Sequence, residues 1–97
     1  MPYLVIYDIT RDSLRERVAN KLKDYGLRRI QYSAFVGELR LRRLRSLILD
    51  LRKIIGQAGG GERKVVHIFP VPFSSLRSVI VIGRWEEEGE GSKVEVF

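Results

Sequence analysis

Residues 2–9 read PYLVIYDI, and residues 11–26 read RDSLRERVANKLKDYG. The first stretch is β-branched and aromatic with no breaker after Pro2, which predicts a buried strand. The second opens on helix-start residues. Ser13 and Glu16 have capping-box spacing, and Asp12 is an alternative N-cap. Leu14, Val18, Leu22 and Tyr25 recur at helical spacing and give one apolar face. Gly26 is placed to stop that helix. A strand running straight into a helix whose apolar face must find a sheet is the first half of a β-α-β unit.

Outward from there, Leu27–Leu39 reads as two short strands or one bent strand, with the break near Ser33. A strong second helix is predicted from about Arg40 to Ile55. Its apolar stripe is Leu41, Leu44, Leu47, Ile48, Leu51, Ile54 and Ile55. Gly56 ends it, and QAGGGE (57–62) is a loop. Lys64–Val71 predicts a fourth strand and Ser78–Gly83 a fifth. EEEGEGS is a polar linker, and KVEVF is read as a short last strand. The order of the first six elements is that of a ferredoxin-like βαββαβ fold, in the α+β class, with an additional C-terminal strand. One domain over 1–97 is expected, ending in an acidic segment at 85–97. Two helices cover one face of such a sheet. Yet the first, fourth and fifth strands are apolar at both alternating sets of positions: Tyr3, Val5 and Tyr7 point one way, Leu4 and Ile6 the other. A sheet with a solvated face should alternate apolar and polar. A homodimer packed through its sheet faces is therefore expected.

The chain has 97 residues and a formal charge of +6. Residues 1–84 hold 17 of the 18 Lys and Arg against 7 of the 12 acids, a balance of +10. Thirteen of the cations are Arg, whose donor fork matches phosphate oxygens. A basic body points to a polyanionic partner. There is no cysteine, which excludes a disulfide framework and a thiolate zinc site. No apolar run is long enough for a membrane span, and no signal-peptide pattern opens the chain, so a cytoplasmic location is expected.

Common catalytic signatures (P-loop, GxGxxG, HExxH, GxSxG) are absent. Gly59-Gly60-Gly61 reads as a plain loop. His67, the one histidine, falls in a buried strand pattern and reads as a packed core residue rather than a metal ligand. Asp8 stands out, at the end of a buried strand beside a helix start, where scaffolds present functional groups. On position alone it fits two roles, a cap of the turn or a functional acid. A lone carboxylate is a poor Mg²⁺ site, but a two-fold axis would bring two copies together. Tyr7, Tyr32 and Phe35 are either core or stacking surfaces for bases. Arg15 and Arg17 point to different sides of their helix, and Arg28 and Arg29 to different sides of their strand.

Two segments together resemble the CRISPR-associated Cas2 family: LVIYDIT (4–10), which leads directly into a helix, and GLRRIQYSAFVGEL (26–39), with its Gly-x-x-Arg-x-Gln-x-Ser-x-Phe pattern. PVP at 70–72 and IVIG at 80–83 also fit, and the resemblance covers roughly residues 1–84. It implies a ferredoxin-like homodimer that assists spacer acquisition between Cas1 dimers, with duplex DNA across the assembly. It also implies a metal-dependent endonuclease acting on single-stranded RNA or on DNA, with Mg²⁺ or Mn²⁺ as cofactor. By that resemblance Asp8 is the metal-binding acid. Tyr7, Arg15, Arg17, Arg29 and Phe35 fall on positions tied to nuclease activity or substrate contact. Arg40, Arg42, Arg43 and Arg45 have no such match and stand only as nucleic-acid contact candidates. The readings left open are a non-catalytic DNA-binding scaffold, a catalytic endonuclease, a related toxin-type ribonuclease and a small-ligand regulatory module.

Overall fold

The computed structural model describes residues 1–57 and 59–83. Strand β1 (Pro2–Ile9) is followed by helix α1 (Asp12–Asp24) and strands β2 (Arg28–Gln31) and β3 (Ala34–Glu38). Helix α2 (Leu41–Gly56), strand β4 (Lys64–Pro70) and a short helix α3 (Phe73–Arg77) complete it. The sheet order is β2-β3-β1-β4, with every pair antiparallel. This is the split β-α-β arrangement of a ferredoxin-like sheet.

The 27–39 stretch resolves into two strands joined at Tyr32-Ser33, with an irregularity between Arg29 and Gln31. Tyr7 N–H donates to the Ser33 carbonyl at 3.0 Å, so the turn is tied to β1. The helices pack on one sheet face. Val5, Tyr7 and Ile9 of β1 meet Leu14, Val18 and Leu22 of α1, Leu47, Leu51 and Ile54 of α2, and Phe35 of β3. Each such side chain contributes about 1.5–3 kcal/mol by leaving water. On the other face Ile6, Val65 and Phe69 stay exposed, with Leu4 and Val36 half-buried. No helix among the described residues is long and apolar enough to cross a membrane.

Several expectations need correction. The segment 78–83 forms no strand among the described residues. Ile80 and Ile82 are exposed, at 71% and 89%. Its β-branched run encodes a propensity that only a ladder partner realises. Helix α3 stands where no element was expected. Pro70 and Pro72 lack N–H donors and so end β4, and Pro72 then serves as the N-cap of α3. The capping box at Ser13 does not form; Arg11 is the N-cap, without a side-chain cap bond, and Asp12 instead pairs with Arg15. Leu41 is exposed, and α2 runs through Gly56 to a C-cap at Gln57. His67 is not a core residue. Pleat alternation puts it on the open face, exposed, with its ring stacked on Phe69 at 5.9 Å. The last strand expected at KVEVF and the acidic segment 85–97 lie outside the described residues.

Candidate nucleic-acid site around Asp8

Neighbouring residues of a strand point to opposite faces. Tyr7 therefore enters the core, while Asp8 emerges on the open face in line with Leu4 and Ile6. Its ladder partner in β4 is Val65. The residue two before Val65 is Arg63, a diagonal neighbour of Asp8 within reach of a long side chain. Arg63 Nε donates to Asp8 Oδ1 at 3.1 Å and to Oδ2 at 3.2 Å. The Arg63 backbone is itself fixed. Its N–H donates to Thr10 Oγ1 at 3.1 Å, and its carbonyl accepts from the Thr10 N–H at 3.0 Å.

The capping role open to Asp8 is not realised, since its carboxylate engages Arg63 and α1 has no side-chain cap. The pair is solvated, with side chains 59% and 68% exposed for Asp8 and Arg63. An exposed pair of this kind adds only about 0–1 kcal/mol, so it orients more than it stabilises. No group of three or more His, Cys, Asp or Glu that could hold a metal occurs among the described residues. Among the described residues, one chain presents Asp8 at this site without a cluster of further ligands. A single carboxylate is a weak Mg²⁺ site by itself; a second copy of Asp8, with water and substrate phosphate oxygens, would complete the shell of a hard cation.

A separate cleft of about 380 Å³ lies on the helix side, between α1 and the β2-β3 turn. Tyr7, Arg15, Arg29 and Tyr32 line it, together with Asp12 and Lys23. Phe35 lies fully buried beneath, its ring 6.3 Å from that of Tyr7 and 5.0 Å from the Arg29 guanidinium. Tyr7 and Phe35 are therefore core rings rather than free stacking surfaces. Tyr32 is exposed, with the Arg15 guanidinium 5.5 Å from its ring centre. Arg15 donates to the carbonyls of Ile9 at 2.9 Å and Thr10 at 3.2 Å, and to Asp12. Desolvation works against its charge, but hydrogen bonds to Asp12 and Tyr32 outweigh it and raise its pKa. Arg15 thus clasps the turn that follows Asp8.

Arg17 points elsewhere, donating to Gln57 Oε1 at 2.9 Å across the α1-α2 groove. Arg40, Arg42, Arg43 and Arg45 are all exposed around the start of α2. Arg43 sits 4.3 Å from the ring centre of Tyr25, whose hydroxyl donates to Asp50 Oδ2 at 2.6 Å. Desolvation, then that bond to Asp50, pushes the Tyr25 phenol above its usual range.

The structure therefore brings Tyr7, Arg15, Arg29 and Phe35 together, and keeps Asp8, Arg17 and the α2 arginines each apart from that group. Sequence reading missed Arg63. The signal was there in the antiparallel register, which runs from Tyr3 opposite Pro70 to Ile9 opposite Lys64 and so sets Thr10 beside Arg63.

Fold and site define a small basic ferredoxin-like protein with an acid at the end of its first strand. Residues 1–79 match the family model described as CRISPR associated protein Cas2, and the chain belongs to that family. It is 41% identical to the CRISPR-associated endoribonuclease Cas2 of Korarchaeum cryptofilum, over 84% of this chain and 83% of the relative. It is also 39% identical to part of a Cas1/Cas2 fusion from Thermoproteus tenax, over 73% of this chain and 25% of the fusion. Among solved structures, a hypothetical protein from Thermus thermophilus matches with a TM-score of 0.62 and 36% identity, covering 73% of this chain and 80% of that one.

Proposed function

We propose that the chain works in CRISPR adaptation as a homodimer, holding nucleic acid by its phosphates in company with Cas1. The observation that carries this reading is the open sheet face, where Leu4, Ile6, Val36, Val65 and Phe69 lie with Asp8 at one end and neither long helix covers them. A basic body suits sequence-independent binding of duplex DNA, because phosphate contacts need no base edge. The relative in which Cas1 and Cas2 share one chain supports the Cas1 association.

A second reading is favoured by Asp8 itself and by the endoribonuclease names of the relatives. In it the dimer cleaves phosphodiester bonds in single-stranded RNA or DNA. Two copies of Asp8 would hold Mg²⁺ or Mn²⁺, which supplies charge neutralisation and acidifies water. Asp8 then provides the anionic oxygens, and the arginines draw the phosphate backbone to the protein.

One experiment separates the two. Parent and Asp8→Asn are compared for duplex DNA binding across a salt series, and for metal-dependent RNA and DNA cleavage. The expected result is a steep loss of affinity with salt in both proteins, by a slope of about −0.9 per phosphate contact. Cleavage is lost only in the variant. A flat salt dependence overturns the binding reading, and equal cleavage by the variant overturns the catalytic one.

A further inference from the structure

Arg63 is the residue whose side chain touches Asp8. Its Nε is almost equidistant from the two carboxylate oxygens, at 3.1 and 3.2 Å. Its backbone is locked to Thr10 in both directions, at 3.0 and 3.1 Å, so the base of the side chain cannot drift away. The contact is exposed and therefore weak enough to be broken by a competing ion. On the same face lie the apolar side chains of Ile6 and Val65.

We propose that Arg63 is the resident counter-ion of Asp8 and competes directly with a divalent cation for its carboxylate. In the resting protein the guanidinium neutralises the acid. This keeps a lone negative charge from repelling phosphate on an otherwise basic protein. A cation that takes Asp8 releases Arg63, whose fork is then free for a phosphate oxygen. Arg63 is thus a positioning residue, and metal and nucleic acid are coupled through one side chain. This inference rests on Asp8 being a cation ligand.

The test is Mn²⁺ binding to the full-length protein, followed by electron paramagnetic resonance of the free ion, with the mass of each variant checked. Removing one neighbouring charge near the surface changes a cation's affinity by about two- to fivefold. Arg63→Gln is expected to bind Mn²⁺ about two- to fivefold more tightly than the parent. Arg63→Lys keeps the charge and should stay within about twofold of the parent. Adding Asp8→Asn to Arg63→Gln should abolish the gain. A gain in affinity is not produced by a damaged fold, so the sign of the change is diagnostic. If Asp8→Asn weakens Mn²⁺ binding but Arg63→Gln leaves it unchanged or weaker, the role of Arg63 as a counter-ion latch is wrong while Asp8 remains a ligand. If Asp8→Asn binds Mn²⁺ as well as the parent, and Arg63→Gln gains nothing, the ligand role of Asp8 falls and the latch with it. Binding that appears only in Arg63→Gln, and only with Asp8 intact, supports the latch in its strongest form.

Discussion

Tyr25 shows how one side chain ties distant elements together. It ends α1, donates to Asp50 on α2, and carries Arg43 on its ring. Its phenol titrates above the usual value of about 10 in the folded protein, chiefly through desolvation and then through Asp50. A raised folded pKa means that the protonated form is the one folding favours. The stability it contributes is whole below about pH 10 and is lost as pH rises through the folded value. Tyr25→Phe should therefore be less stable than the parent at neutral pH, with the gap in denaturant midpoint closing above about pH 10. A gap that stays constant to pH 11 would refute this. At this scale the sequence announced Asp8 plainly, because a carboxylate at the end of an apolar strand stands out. It did not announce Arg63, because the contact crosses 55 residues of chain and exists only once the ladder register is set.

Among the elements, both long helices and strands β1 and β4 were legible because their apolar residues recur without a break, whereas 27–39 read equally as two strands or one bent strand. Two of the failures share a cause: each depended on a partner rather than on a period. Residues 78–83 carry a strand's composition but find no ladder among the described residues. His67 sits in an apolar run, but the pleat gave it to the uncovered side. The hairpin contains a subtler constraint at Gly37 of β3. A Cβ there would lie 3.0 Å from Leu27 Cα and 3.1 Å from its Cγ. Leu27 cannot easily yield, since its N–H is bonded to the Leu22 carbonyl at 3.1 Å and Gly26 before it has φ +87°. Gly37→Ala should cost about 1–3 kcal/mol by overpacking, measured by urea unfolding. An unchanged or raised stability would show that the hairpin absorbs the methyl.

For the molecule as a whole, the sheet separates two environments. One side is a packed core under the helices; the other is an apolar face with an acid at its end. If that face is where two chains meet, Phe69→Glu should halve the mass in solution. It should leave the fold intact, because Phe69 is already 45% exposed. A variant that remains dimeric would move the interface elsewhere. The alternation of β1 has a consequence for how such a protein can diversify. Val5, Tyr7 and Ile9 answer to the helices, while Leu4, Ile6 and Asp8 answer to whatever lies against the sheet. Two sets of demands are interleaved in one eight-residue stretch. Positions 4, 6 and 8 are thus open to retuning toward a new partner or ligand while the interior stays as it is.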